Sequence, residues 1–450
     1  MFMPSMPSAR QGNNKNHTLT CFGMTRSGIE PSIFRCPCRC ELNADSVRRV
    51  ITPYRVFYLG VLVAITIGYM TCRSDTPFSV IAGVEQKAYG SCPSVLGHML
   101  TGTWVTRPLT AREGEDIEAF LRHGLFFLND DKSFEKPDKR CGNISYYQWM
   151  LRDKASEWFR VLCEPNGGTP CCYDNVCQKK TVEECVCDNC YDLRRQVHAE
   201  YSTWTPADAR CQVRTFTSTS ACELLRGGTY HFYGDSLIRQ MFLAFIIILK
   251  GDYQHGGLRP DAPIDVRQKC SGYYVFPTHN CRAFLDYSPT LCNGTVRALF
   301  KQYTANYDRM NMMRDVKKIR DTPKSILFFG CGVWTFFNRD DTGKYARAVI
   351  NMVNKFKKRT WPKLLWSGVH HFGLWRRPNV KGVDNEHAQP FNRYMETVLE
   401  MYNVPMFDTF NMTRGVRSVD GTHYGPGVNF LKAQIYLNYI MELQNKGQWN

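Results

Sequence analysis

The chain has 450 residues, of which 43% are hydrophobic and 13% aromatic, and this composition excludes a largely disordered protein. Its net charge of +16 would suit nucleic-acid binding, but the positive residues are scattered and no nucleic-acid-binding module is recognisable. We therefore expect no nucleic-acid partner and a basic surface that faces anionic glycans or a membrane.

The first 52 residues are rich in polar and small side chains and show no apolar periodicity. We predict a disordered cytosolic tail over residues 1–52. Three closely spaced cysteines lie in it, at Cys36, Cys38 and Cys40. Palmitoylation near a membrane, metal binding and plain reduced thiols all stay open for them.

An uncharged apolar run at residues 56–70 predicts a transmembrane helix over residues 53–71. The run is shorter than the roughly 20 residues that span a bilayer, so a buried helix is the alternative. Arg48 and Arg49 precede it, and the positive-inside rule then places everything after Thr71 in a lumen or outside the cell. Because the preceding tail is too long for the start of a cleaved signal peptide, we predict an uncleaved signal anchor.

Cysteine usage agrees with a lumenal position. Of the 20 cysteines, 16 lie from Cys72 onward, an even number at a density that suits disulfides in an oxidising compartment. Predicted glycosylation sites lie on the same side of the anchor, at Asn143, Asn293 and Asn411. A fourth such tripeptide, at Asn16, falls on the predicted cytosolic side, so these tripeptides give only minor support.

The segment 72–200 is rich in cysteine and shows little alternation of strands and helices. Cys185, Cys187 and Cys190 have a spacing at which thiolates bind tetrahedral zinc. The lumenal position favours disulfides instead. We therefore predict a disulfide-bonded lumenal segment with no bound metal.

Residues 201–450 alternate between β-prone and helical patterns, which predicts an α/β domain with a doubly wound, mostly parallel sheet. In such sheets the ligand chemistry takes place at the carboxyl ends of the strands. The predicted strands cover residues 229–233, 325–329, 364–369 and 404–410, and the predicted helices cover residues 237–249, 345–358, 387–402 and 428–443, the last of them amphipathic.

The tripeptide Gly234-Asp235-Ser236 stands between a predicted strand and a predicted apolar helix. At the N-terminus of a helix, backbone N–H groups and the positive end of the helix dipole can stabilise an oxyanion beside the serine. The tripeptide differs from the G-x-S-x-G nucleophile elbow and is weak when taken alone. A serine N-cap after a glycine turn is the alternative. The surrounding strand and helix favour a nucleophile.

A second motif, Asp420-Gly421-Thr422-His423, precedes the last predicted helix. A catalytic base needs an acid to fix its tautomer, and a short D-x-x-H turn presents both groups together. Because His423 follows the last predicted strand, it should reach the same sheet edge as Ser236. An isolated D-x-x-H is more often an Asx turn with a surface histidine. Together the two motifs predict a triad of Ser236, His423 and Asp420.

A third motif, Gly330-Cys331-Gly332, follows the second predicted strand. Glycines at the carboxyl end of a strand let backbone N–H groups approach a substrate oxygen closely. The alternative is an ordinary tight turn with a buried, disulfide-bonded cysteine.

Seven short stretches of sequence stand in a recognisable order along the chain. The first four are Trp204-Thr-Pro206, Cys211, Leu224-Leu-Arg226-Gly227 and Gly234-Asp-Ser-Leu-Ile-Arg-Gln240. They are followed by Leu327-Phe-Phe-Gly-Cys-Gly-Val-Trp334, Trp366-Ser-Gly-Val-His-His-Phe372 and Asp420-Gly-Thr-His-Tyr424. Over residues 200–445 this order resembles the PC-esterase / trichome-birefringence-like family. Residues 72–200 match that family loosely, if at all.

The resemblance implies an SGNH-like three-layer α/β/α sandwich, typically behind a signal anchor in the Golgi. It also implies O-acetylation of carbohydrate, or the reverse deacetylation. The residues that it would place in the site are the nucleophile Ser236, the base His423, its partner Asp420, the oxyanion donors Gly332 and Ser236, and the supporting residues Asp235, Arg239 and His371.

The chain departs from the family pattern at two places. Gly330 stands where the family has an asparagine two positions before Gly332, so a side-chain oxyanion donor is missing. The Ser-Pro pair that the family has before His371 is also absent. Both departures bear on the substrate and the rate, and both leave the triad intact.

We expect an acyl-Ser236 intermediate from which a hydroxyl of a glycan or polysaccharide takes the acetyl group. No bound cofactor is expected. The donor would be acetyl-CoA or an acetylated carrier, and an acetyl-donor transporter would be a partner because acetyl-CoA is cytosolic.

The expected location is the Golgi membrane, as a single-pass type II protein, with the cell surface as the alternative. An acetylesterase of the same fold and a non-catalytic glycan-binding ectodomain are the alternative functions, and the entry of water decides between transferase and esterase.

Overall fold

Residues 92–124, 138–147, 156–304, 308–355, 361–376 and 382–449 are described by the structure, which is a computed structural model. The predicted tail at residues 1–52 and the predicted anchor at residues 53–71 lie outside the described residues. None of the helices within the described ranges has the length and apolarity needed to cross a bilayer.

The cysteine-rich part of the chain forms short helices and antiparallel strand pairs. The elements are α1 (Val95–His98), β1 (Gly102–Val105), α2 (Ala111–Gly124), β2 (Gly142–Tyr147), β3 (Ser156–Val161), β4 (Cys171–Tyr173), β5 (Val176–Gln178), β6 (Tyr191–Asp192) and β7 (Thr203–Pro206). Strand β1 pairs with β7, β2 pairs with β3, and β4 lies between β5 and β6.

Disulfides hold this part together, and the predicted disulfide-bonded segment is confirmed. Among the described residues, the bridges of this part join Cys92–Cys211, Cys141–Cys172, Cys163–Cys177, Cys171–Cys185 and Cys187–Cys190. The bridges Cys222–Cys292 and Cys270–Cys281 lie in the second half of the chain. The zinc alternative is wrong for Cys185, Cys187 and Cys190, because bridged sulfurs cannot act as thiolate ligands. The same holds for Cys141, Cys163 and Cys177, the group of described residues whose sulfur atoms lie close enough to share an ion.

The second half of the chain builds a six-stranded sheet with helices around it. The elements are α3 (Ser218–Leu225), β8 (Thr229–Gly234), α4 (Ser236–Lys250), α5 (Ile264–Lys269), β9 (Thr290–Leu291), β10 (Val296–Gln302), α6 (Arg309–Ile319), β11 (Ser325–Gly330), α7 (Arg339–Asn354), β12 (Lys363–Ser367), α8 (Asn385–Glu400), β13 (Met406–Phe407), α9 (Phe410–Thr413) and α10 (Pro426–Asn445). The strand order is β13-β12-β11-β8-β10-β9, and all neighbours are parallel except β9, which is antiparallel to β10.

Two hydrophobic cores cover the two faces of this sheet. In β11, Ile326 and Phe328 enter the core shared with α4 and α10, whereas Leu327 and Phe329 enter the core shared with α6, α7 and α8. Both faces of β11 are buried, which explains why its sequence is a continuous apolar run. The predicted α/β architecture of three layers around a mostly parallel sheet is confirmed.

Several elements differ from the sequence-based prediction. The strand expected over residues 404–410 is limited to Met406–Phe407, because Asp408 turns the chain by accepting the N–H of Phe410. Helix α10 is not amphipathic but buried on most sides, since it packs against α4 and also against Ala199–Tyr201. Strand β10, which lies between β8 and the edge strand β9, is absent from the sequence-based prediction.

Candidate active site

Ser236 is the first residue of α4, two residues after the end of β8 at Gly234. Asp235 is the N-cap of this helix, and its carboxylate accepts a hydrogen bond of 2.9 Å from the N–H of Leu237. A β-carbon at Gly234 would lie 2.5 Å from the carbonyl oxygen of Gly330 on the neighbouring strand, so the turn requires glycine. A strand, a glycine and an N-cap in succession thus place the serine hydroxyl at the sheet edge.

His423 joins Ser236 to Asp420. Its Nε2 atom lies 2.7 Å from Oγ of Ser236, and its Nδ1 atom lies 2.7 Å from Oδ2 of Asp420. An ionised carboxylate only accepts hydrogen bonds, so Nδ1 of His423 carries the proton and Nε2 is free to accept from the serine hydroxyl. The structure therefore brings together the three residues that the sequence placed in a triad.

Asp420 is held in its ionised form. Its Oδ1 atom accepts hydrogen bonds from the backbone N–H groups of Thr422 at 2.8 Å and His423 at 2.7 Å. Burial acts to raise the pKa of Asp420, but the charge of His423 and these hydrogen bonds outweigh it and bring the pKa to about 2. The carboxylate can therefore fix the tautomer of His423 at any pH near neutrality.

The Asp420–His423 loop is anchored on the segment 373–376. Gly421 has a φ of +82°, and a β-carbon there would lie 2.0 Å from the backbone nitrogen of Arg376. The loop at this position therefore needs glycine for both its conformation and its close approach. Nη1 of Arg376 donates a hydrogen bond of 2.7 Å to Oγ1 of Thr422, which ties the next residue of the loop to the same segment.

Two buried polar residues, Lys432 and His370, form a hydrogen-bonded series that ends on this loop. Nζ of Lys432 donates to Nδ1 of His370 at 3.0 Å, and Nε2 of His370 donates to the carbonyl oxygen of Thr422 at 2.6 Å. Burial, and then the charge of Lys432, hold the pKa of His370 well below its ordinary value, so its ring is neutral. Burial lowers the pKa of Lys432 to about 7, against the opposing charge of Asp408.

His371, predicted to support the site, contributes through its backbone. Its N–H donates to Oγ1 of Thr413 at 2.9 Å, and its carbonyl oxygen accepts a hydrogen bond of 2.6 Å from the hydroxyl of Tyr424, next to His423. The ring that contacts the catalytic loop belongs to His370, which the sequence analysis did not single out. The sequence does show two adjacent histidines, His370 and His371, directly after a predicted strand. It does not show which of the two rings points toward the catalytic loop.

The oxyanion donors predicted from the sequence lie at the carboxyl ends of adjacent strands. The N–H of Ser236, as the first helical residue, has no acceptor within α4. Gly332 lies two residues beyond β11, whose last residue Gly330 is paired with Gly234. A β-carbon at Gly330 would lie 2.7 Å from the carbonyl oxygen of Ser367, so the chain has no room for the asparagine of the family pattern.

Cys331 is a buried free thiol, so the alternative that made it a disulfide cysteine is wrong. Burial raises its pKa well above the ordinary value, which makes it an unreactive thiol rather than a second nucleophile.

The side chains of the candidate site are partly exposed. Ser236 is half-buried, and the side chains of His423 and Asp420 are 17% and 25% exposed. Arg239 lies one helical turn after Ser236 and is buried, with 5% of its surface exposed.

The predicted glycosylation residues Asn143, Asn293 and Asn411 are exposed, and their modification stays a prediction.

No family model matches the chain, and no curated protein matches it. Among solved structures, it is similar to a lipolytic protein of the G-D-S-L family from Veillonella parvula, at 12% identity and a TM-score of 0.29, over 48% of this chain and 99% of that one. It is also similar to Axe2, an acetylxylan esterase from Geobacillus stearothermophilus, at 12% identity and a TM-score of 0.29, over 48% of this chain and 94% of that one. A third similar structure is the acetyl xylan esterase AlAXEase, at 14% identity and a TM-score of 0.28, over 47% of this chain and 98% of that one. Likeness at these TM-scores assigns neither a family nor an activity.

Proposed function

We propose that the chain cleaves O-acyl esters of carbohydrate through an acyl-Ser236 intermediate. The observation that carries this proposal is the continuous hydrogen-bonded series from Oγ of Ser236 through the ring of His423 to Asp420, with 2.7 Å at each step. Three residues from two distant parts of the chain meet in the arrangement and tautomer that nucleophilic catalysis by serine requires.

In the first half-reaction, Oγ of Ser236 attacks the carbonyl carbon of the ester while Nε2 of His423 takes the hydroxyl proton. The negative charge that forms on the carbonyl oxygen is stabilised by the N–H of Ser236 at the start of α4, with Gly332 as the second donor. The intermediate then collapses: the bond to the leaving alkoxide breaks, and His423 returns its proton to that oxygen. The products are a free hydroxyl and acyl-Ser236.

In the second half-reaction, His423 takes a proton from the hydroxyl that attacks acyl-Ser236. A sugar hydroxyl gives a new ester, so the protein would be a carbohydrate O-acetyltransferase, as the resemblance implies. Water gives free acetate, so the protein would be an acetylesterase. The exposure of the His423 and Asp420 side chains, 17% and 25%, favours this second candidate, because water can reach the unliganded site.

The same proposal places the protein in the Golgi membrane as a single-pass type II protein, or at the cell surface. The seven disulfides within the described ranges suit an oxidising lumen. As a lumenal transferase it would use acetyl-CoA or an acetylated carrier supplied through an acetyl-donor transporter. A non-catalytic glycan-binding ectodomain would not need the assembled Ser236–His423–Asp420 contacts, and those contacts argue against it.

The test is incubation of the purified lumenal part with acetylated oligosaccharides, alone and with isotopically labelled acceptor glycans. Free acetate and acetylated acceptor are both quantified by mass spectrometry. The proposal expects one or both to form with the wild-type protein and neither with Ser236→Ala. Turnover by Ser236→Ala equal to that of the wild type would refute it, and the ratio of the two products separates transferase from esterase.

A further inference from the structure

The proposed base His423 lies on a short hairpin. Ser418 and Tyr424 form an antiparallel bridge, and the N–H of Val419 donates to the carbonyl oxygen of His423 at 2.8 Å. Residues 418–424 are called the catalytic hairpin below. Because an isolated two-stranded hairpin is at best marginally stable, the position of the base relative to the nucleophile depends on what holds the two ends of this hairpin.

The cysteine-rich part of the chain holds the first end through the backbone. The N–H of Arg417 donates to the carbonyl oxygen of Val197 at 2.9 Å, and the N–H of Val197 donates to the carbonyl oxygen of Gly415 at 2.8 Å. Val197 and Val416 thereby form a parallel bridge. Since Arg417 directly precedes the catalytic hairpin, the hairpin starts from a backbone that is fixed to a distant segment.

The side chain of Arg417 is held by the same part of the chain. Its Nη2 atom donates a hydrogen bond of 2.8 Å to Oε2 of Glu118 on α2, and the two side chains are 2% and 14% exposed. Nε2 of His198 lies 3.7 Å from Oε1 of Glu118, but burial, and then the charge of Arg417, lowers the pKa of His198 to about 4, so its ring is neutral near pH 7. Within the described ranges Glu118 is the one carboxylate in ion-pair contact with Arg417, whose Nε and Nη1 atoms are buried without a hydrogen bond.

Helix α2 also packs against the catalytic hairpin itself. Val419, directly before Asp420, is buried in a cluster with three apolar side chains of this helix, Ile117, Phe120 and Leu121. An ion pair and an apolar cluster on one helix thus support the arm of the hairpin that leads to Asp420.

The other end of the catalytic hairpin enters α10, where Glu200 holds it. The first turn of α10 has no side-chain cap of its own. The N–H of Gly427 donates to Oε1 of Glu200 at 3.3 Å, which satisfies one of the free N–H groups at the start of the helix. A β-carbon at Gly425 would lie 2.2 Å from the same oxygen, so this close approach requires glycine. Both ends of the hairpin are therefore held by residues of the segment 118–200.

We propose that the cysteine-rich part positions the catalytic hairpin, and that Glu118 and Arg417 are positioning residues for His423. Both act through the backbone, because their hydrogen bond joins them to each other and not to Ser236 or His423. A displacement of about 1 Å between reacting groups can reduce turnover about 100-fold, and a buried ion pair is favourable only in a good geometry. This inference rests on the proposed role of His423 as the base, and it assigns a catalytic task to a part of the chain that the family resemblance covers loosely.

The test compares two substitutions of the same kind on the same helix. Glu118→Gln removes the partner of Arg417. Glu113→Gln is the control, because within the described ranges the carboxylate of Glu113 bonds to Arg107, at 2.8 Å, and to Thr110. We expect kcat on an acetyl ester to fall about tenfold or more in Glu118→Gln, with KM within about twofold of the wild type, and to stay near the wild-type value in Glu113→Gln. Equal kcat in the two variants would overturn the proposal.

A double variant separates positioning from stability. Glu118→Gln leaves the buried charge of Arg417 without its partner and should lower the urea midpoint of unfolding. Glu118→Gln with Arg417→Met removes both charges and should return the midpoint close to that of the wild type. If the pair positions the base, kcat stays reduced in the double variant. Recovery of kcat together with the midpoint would overturn the proposal, since the pair would then act on stability alone.

Hydrogen exchange of the wild type gives a readout that needs neither turnover nor a stable variant. Peptides that cover residues 418–424 and residues 111–124 should be similarly protected and should lose protection together as urea is added, because the two segments open as one unit. Much faster exchange in the hairpin than in α2 would overturn the proposal. Absence of ester turnover by the wild type would refute the proposed function instead, so the two failures are distinct.

Discussion

Nε2 of His370 donates a hydrogen bond of 2.6 Å to the backbone carbonyl of Thr422, the residue directly before His423. The carbonyl can only accept, so the proton is on Nε2, and Nδ1 accepts from Nζ of Lys432. Two successive residues of the catalytic loop are thus each held by a side chain: Thr422 by a buried histidine, and His423 by Asp420. We regard His370 as a positioning residue, because it reaches the proposed base only through the loop backbone.

Substitution of His370 should reduce turnover without abolishing it. His370→Leu removes the donor to Thr422, and a displaced His423 should lower kcat by about 10- to 100-fold with little change in KM. His370→Gln keeps a side-chain N–H at about the same reach and should restore part of the loss. Equal activity of both variants, or equal loss in both, would contradict a positioning role. Steady-state kinetics on an acetyl ester gives the answer.

Lys432 should make stability depend on pH in a defined direction. Its pKa is about 7 in the folded protein and is close to 10.5, the ordinary value, in the unfolded chain. Between these values the unfolded chain binds more protons, so the free energy of unfolding should rise with pH, by at most about 1.4 kcal/mol per unit. Below about pH 7 both states are protonated and the contribution is constant.

Lys432→Met removes that titration. Urea unfolding at pH 7, 8 and 9 should show the wild type gaining stability relative to Lys432→Met as the pH rises. A constant difference between the two proteins over that range would mean that Lys432 titrates at its ordinary pKa and is not desolvated as the structure describes.

Asp420→Asn should be severely damaging but less so than loss of the serine or of the base. An asparagine amide can donate to Nδ1 of His423 and so favours the tautomer with its proton on Nε2, which cannot accept from Ser236. We expect kcat to fall by about 10³- to 10⁴-fold, with folding unchanged by circular dichroism. Since the pKa of Asp420 is about 2, its ionisation should not shape the pH–rate profile above about pH 4. Near-normal turnover of this variant would remove Asp420 from the site.

The disulfides should differ in how much each one stabilises the folded protein, according to the length of the loop that each closes. Cys92–Cys211 spans 119 residues and ties the start of the described chain to the segment before α3, whereas Cys187–Cys190 spans 3. Replacing both cysteines of the long bridge by alanine should lower the free energy of unfolding by about 3–5 kcal/mol. The same replacement at Cys187 and Cys190 should cost less, and chemical denaturation of the two variants compares them directly. Equal losses would show that the bridges do not act on the unfolded chain.

The sheet and the triad could be predicted because each depends on local pattern and on a general rule of topology. The apolar run of β11 and the strand–glycine–helix sequence around Ser236 are visible in the sequence, and parallel strands bring their carboxyl ends to one edge. His423 therefore could be expected above the sheet although 187 residues separate it from Ser236.

What the sequence could not show depends on contacts between distant segments. The His370–Lys432 contact joins residues 62 apart, and no periodicity distinguishes a buried lysine on α10 from an exposed one. The pairing of fourteen cysteines is equally non-local. The clash that excludes asparagine at residue 330 arises from Ser367 on the neighbouring strand, and the departure from the family pattern is explained only when both strands are placed.

Reaction of the protein with a fluorophosphonate probe tests the central claim most directly. The claim is that Ser236 is a nucleophile activated by His423. Peptide mass spectrometry should find one probe on Ser236 in the wild type, none on Ser236→Ala, and labelling of His423→Ala slowed by about 10⁴-fold or more. An unlabelled wild type, or equal labelling of Ser236→Ala, would contradict the account.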